Sequence, residues 1–147
     1  MKFGELSNKV APRAVILFEG LLGLLPSGSI QEHDKAVKKN DWEKVVSLFK
    51  LNEIYLMKLL DLTRRKDINF SVVTWMPEPA DQAIVDRLDK QAIPVRGCFS
   101  SSPEVLARML PYNPDVAIVY VPSTEYVLTL GSKCYVVTEP SDIGKTF

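Results

Sequence analysis

The sequence predicts an α/β protein: a three-layer α/β/α sandwich around a mainly parallel sheet. Two observations carry this. Apolar runs of five to eight residues, "RAVILF", "INFSVVTW", "PVRGCF", "VAIVYV" and "KCYVV", alternate with helix-like segments of about ten residues. Several of the runs are apolar throughout rather than alternating, as strands buried on both faces are. With 147 residues, no internal repeat and no linker, the chain is expected to fold as one domain, 1–147.

Taken in order, residues 1–12 form a lead-in and "RAVILF" the first strand. "EGLLGLLPSGSI" is a glycine-punctuated turn and loop, or the start of a short helix. From Lys35 to about Leu62 the pattern is helical: Asn40 or Asp41 caps, and Trp42, Val45, Val46, Phe49, Ile54, Leu56, Met57, Leu59 and Leu60 recur at three- and four-residue intervals. A break near Lys50–Asn52 divides it. "INFSVVTW" is the second strand, and Pro77, Pro79 and Asp81 open a helix containing Ile84, Val85 and Leu88. After the strand "PVRGCF", Ser101 or Ser102 caps a helix with Pro103 and Glu104 in its first turn, ended by Asn113-Pro114. "VAIVYV" follows, Ser123-Thr124-Glu125 opens a short helix to about Leu130, and Gly131 closes it before "KCYVV". Residues 139–147 are expected to be a loosely ordered tail.

Composition narrows the function classes. Eighteen basic residues balance eighteen acidic ones, so no overall field favours nucleic acid or an anionic membrane. The run Arg64-Arg65-Lys66 reads as solvated charge at a helix end. "AVILFEGLLGLLP" carries Glu19 and is shorter than a bilayer crossing, so no membrane span is expected. Cys98 and Cys134 have no ligand spacing and sit in apolar segments, and no signal peptide is evident; a reducing cytoplasm is the expected location. His33, the single histidine, stands in a polar stretch and is expected at the surface.

Ligands of open α/β sheets bind beyond the carboxyl ends of the strands, where strand order reverses. In this Rossmann-like arrangement that selects four loops: Phe18–Leu22, Thr74–Pro77, Cys98–Ser102 and Val121–Glu125. Their order and content resemble the haloacid dehalogenase-like (HAD) superfamily, mostly phosphatases and phosphotransferases, over about Arg13 to Thr138. The first motif of that family is a strand followed by Asp-x-Asp-Gly, a nucleophile and then an acid/base. In "VILFEGLL", aligning Gly20 with the motif glycine puts Glu19 at the acid/base and Leu17 at the nucleophile; placing Glu19 at the nucleophile puts Leu21 at the acid/base. The second is a strand ending in Ser or Thr, matched by Thr74. The third, a lysine near a helix start, has no counterpart in "SSSPEVLARML", where Arg108 lies too far along. The fourth is Gly-Asp-Ser followed by another acid, which bind magnesium. "VYVPSTEYVLTLGSKCYVV" keeps its outline, with Pro122 and Ser123 at the Gly-Asp pair and Glu125 the one acid left.

The resemblance thus implies a capless, HAD-like scaffold with degenerate motifs. Phosphoryl transfer through an acyl phosphate needs a placed carboxylate, a proton donor and a bridging cation. Glu in place of Asp shifts the attacking oxygen by about 1 Å, enough to cost on the order of 100-fold. The expectation is therefore a non-enzymatic protein-binding or regulatory module with no cofactor, whose partner is an unidentified protein or a second copy. No confident catalytic residue is expected; Glu19, Thr74 and Glu125 are the degenerate positions. The alternatives are a magnesium-dependent phosphohydrolase or phosphotransferase using those three, and a phosphate- or nucleotide-binding module without turnover. Candidate ligand-binding residues are Thr74, Trp75, Ser101, Ser102, Ser123 and Thr124. Each has a plainer role available: a turn hydrogen bond for Thr74, helix capping for the serines and Thr124, core packing for Trp75.

Overall fold

In the computed structural model, which describes residues 13–145, the first apolar run becomes β1 (Arg13–Leu17) at the centre of a five-stranded, wholly parallel sheet. β4 (Asn69–Thr74) and β5 (Val95–Ser100) extend the sheet on one side of β1, and β6 (Val116–Val121) and β7 (Cys134–Val136) on the other, giving the order β5-β4-β1-β6-β7. Strand order reverses at β1. The loops after β1, β4 and β6 are thereby gathered at one end of the sheet, as the connectivity requires.

The continuous apolar runs are explained by burial on both faces. Ala14, Ile16, Phe70, Val72, Ile118 and Tyr120 face one core, and Val15, Leu17, Val73, Val119 and Val121 face the other. The first core is covered by four helices: α1 (Ile30–Lys38), α2 (Trp42–Leu48), α3 (Glu53–Lys66) and α4 (Ala80–Lys90). The second is covered by α5 (Pro103–Met109) and the single turn α6 (Val127–Leu130). Helices on both faces of a parallel sheet make the expected three-layer sandwich.

Two elements depart from the expectation. The helical region starts at Ile30 rather than Lys35, preceded by a 3-10 turn at Ser27–Ser29. The anticipated break near residue 50 is a strand, β3 (Lys50–Leu51), paired antiparallel with β2 (Gly23–Leu24). Of the anticipated caps, Asp41 accepts from Lys44 N and Ser102 from Val105 N; Asn52, at the break, also caps, accepting from Tyr55 N.

The described part of the tail is tied down rather than loose. Asp142 accepts from the Thr138 and Glu139 amides, Ile143 is buried, and Gly144 N donates to the Tyr120 hydroxyl at 2.9 Å. The sequence "TEPSD" carries the signal, a helix start with acids at the cap and at the third position after it. His33 is also less exposed than expected. Its side chain is 24% exposed, bonded to Asp34 and set edge-on to Phe49. Arg64–Lys66 do lie in the last turn of α3, where Arg65 pairs with Asp61.

Candidate functional site

The strand-end site is built on the register of β1 against β4. Leu17 pairs with Val73, and Phe18 N continues the ladder by donating to Val73 O. The next residues, Glu19 and Thr74, are thereby brought side by side. The Glu19 carboxylate accepts the Thr74 hydroxyl proton at 2.5 Å and the Trp75 amide at 2.7 Å. Thr74 Oγ1 in turn accepts from Met76 N at 3.1 Å. Burial pushes the Glu19 carboxyl above its ordinary value, against the hydrogen bonds from Thr74 and Trp75, which pull it down.

The loop after β1 fits closely under the loop after β6. Gly20 has φ +87°, a left-handed conformation suited to glycine, and a Cβ added there would lie 2.9 Å from Pro122 Cγ. Gly20 and Pro122 are therefore a matched pair: the ring occupies the space that a side chain at position 20 would need. The next residue, Ser123, donates its hydroxyl to Glu125, two residues further on, at 3.0 Å. Ser123 and Thr124 do open a helical turn, Thr124–Tyr126, but the Ser123 side chain does not cap it. Tyr126, which the sequence reading did not single out, sets its ring 5.8 Å from that of Trp75. The one available signal is an aromatic residue just beyond a strand, as at Trp75.

Trp75 is half-buried and packs against the second core, with its indole N–H buried and turned toward the Tyr126 side chain. Ser101 continues the sheet, its amide donating to Thr74 O at 3.0 Å, and its hydroxyl bonds Ser102 O. Ser102 caps α5. Three of the candidates, Thr74, Trp75 and Ser101, are thus joined with Glu19 in one hydrogen-bonded cluster. Ser123 and Glu125 bond each other, alongside Tyr126. Cys98 lies close enough that the Asp81 and Glu19 charges add to the effect of burial in pushing its thiol far up, which favours the protonated form.

Magnesium takes near-octahedral oxygen ligands and carboxylates with free lone pairs. Here Glu19 is turned to Thr74 and Trp75, Glu125 is turned to Ser123, and no group of three or more His, Cys, Asp or Glu among the described residues could hold a metal.

No family model and no curated protein matches the chain. Among solved structures it is similar to a chain of the "Structure of Pnkp1/Rnl/Hen1 complex", with a TM-score of 0.54 and 14% identity over 88% of this chain. The chain spans 47%, about half, of the length of that neighbour. At this identity the likeness is one of fold, and it agrees with the α/β sandwich described above. No helix among the described residues is long and apolar enough to cross a membrane.

Proposed function

We propose that the protein is a catalytically degenerate, HAD-like module that binds a protein through its strand-end face and carries out no phosphoryl transfer. The observation that supports this most is the direction of the Glu19 carboxylate. It takes up the Thr74 hydroxyl and the Trp75 amide, groups that an anion arriving at these strand ends would need. The Ser101 amide is also committed, to Thr74 O. A carboxylate that accepts two short hydrogen bonds in a part-buried setting is poorly placed either to attack phosphorus or to hold a metal. Residues 30–48, where a covering domain would have to be inserted, instead pack Ala36, Val45 and Val46 into the core as α1 and α2. That arrangement favours a face open to a large partner over a pocket closed around a small ester. The Trp75–Tyr126 aromatic pair supplies side chains of the kind that carry interface energy.

The test is hydrolysis of a generic phosphomonoester with magnesium present, comparing the protein with Glu19→Gln. No turnover above the buffer rate is expected from either. Turnover by the unmodified chain that Glu19→Gln abolishes overturns the reading and supports the phosphohydrolase alternative.

A further inference from the structure

The two faces of the sheet are covered unequally. Among the described residues, four helices lie on one, whereas the other has α5, of seven residues, and α6, of four. The outer side of α5 is apolar. Val105, Met109 and the following Tyr112 recur at four- and three-residue spacing and are 39%, 42% and 86% exposed. Leu128, on the neighbouring α6, is 98% exposed. Beside this stripe stand Glu104 and Arg108, both exposed and one helical turn apart, and neither forms an ion pair among the described residues. Under α5 a cavity of about 310 Å³ is lined by Val15, Phe99, Ser100, Leu106 and Met109, among others. The Ser100 hydroxyl is buried and has no hydrogen-bond partner among the described residues.

We propose that this face docks a second copy of the chain, α5 packing antiparallel on α5 about a two-fold axis. The charges select this occupant. In an antiparallel two-fold pair the same patch meets itself with its direction reversed. Glu104 of each copy then meets Arg108 of the other, while the Val105 and Met109 positions come together between them. One exposed acid and one exposed base on the same stripe make the face complementary to itself. A partner of a single charge sign would oppose one of the two. Tyr112, the most exposed aromatic of the stripe, serves as the anchor, and the cavity beside Met109 gives an aromatic ring somewhere to go. The inference stands on a different face from the strand-end site and does not depend on its reading.

Sedimentation velocity of the full chain over a concentration series tests it, with circular dichroism melts to confirm that each variant is folded. A concentration-dependent dimer is expected. Arg108→Glu and Glu104→Arg should each weaken it by about tenfold or more, because each sets like charges against one another at both contacts. The double variant Glu104→Arg/Arg108→Glu should recover the dimer, and mixing the two single variants should produce a heterodimer, since each supplies the charge the other lacks. A protein that stays monomeric throughout the series overturns the proposal. So does a dimer indifferent to the single reversals, or one that the double reversal fails to restore.

Discussion

Gly20→Ala is expected to lower stability by about 2–4 kcal/mol, with a fall in Tm of roughly 10 °C. Two effects combine. The residue has φ +87°, which an alanine adopts only with strain, and its new Cβ would overlap the Pro122 ring at 2.9 Å. The contact lies between two strand-end loops on either side of the sheet's switch point, so neither loop can withdraw without disturbing the other. Chemical denaturation of Gly20→Ala, Pro122→Gly and the double variant separates the two effects. Removing the ring should relieve the overlap and leave the backbone strain, so the double variant should be more stable than the sum of the single losses by about 1 kcal/mol. Simple additivity would mean that the two loops do not bear on each other.

Thr74→Val is expected to cost about 2–3 kcal/mol at neutral pH and distinctly less in acid. Valine has nearly the shape of threonine, so the loss is that of the hydroxyl. Without it the Glu19 carboxylate loses a donor and Met76 N loses its acceptor, in a part-buried setting. The pH dependence follows from the direction of the Glu19 shift. Its folded-state value lies above the unfolded one, so the folded form holds the proton more tightly. This contribution to stability is fully present below the ordinary value of 4.5 and is lost as pH rises through the raised folded value. Removing the Thr74 bond, which lowers that value, raises it further and increases the cost of keeping Glu19 ionised. Urea unfolding at a series of pH values, with Glu19→Gln as the variant that cannot titrate, checks both statements. Glu19→Gln should lack this part of the slope. An equal cost of Thr74→Val in acid and at neutrality would show that the hydroxyl does not act through the Glu19 charge.

How far these features could be read from the sequence depends on whether the signal is local. β1 and β6 were legible because strands buried on both faces leave unbroken apolar runs such as "VAIVYV". Asp41 and Ser102 mark helix starts by chemistry confined to three residues. The first half of α1 is hard to read because every residue between Ile30 and Ala36 is polar, and Ala36 is the one buried residue of the nine. The β2–β3 pair was missed because two-residue strands carry no pattern, and their pairing joins positions 23 and 51. The site behaved in the same way. The four loops followed from the alternation of strands and helices, but the Glu19–Thr74 bond spans 55 residues and follows from the register of β1 on β4. Pro122 looked like a replaced motif residue, and its close fit to Gly20 appears only when both loops are placed.

The most direct test of the proposal that Glu19, by taking up the Thr74 hydroxyl and the Trp75 amide, leaves a site without phosphoryl-transfer activity is a thermal melt. It would be run with and without magnesium, each with and without phosphate or beryllium fluoride. The account predicts the same Tm in every condition. A rise that requires magnesium and the anion together would contradict it, because such a rise needs Glu19 to release Thr74 and Trp75 and join a metal-bound site.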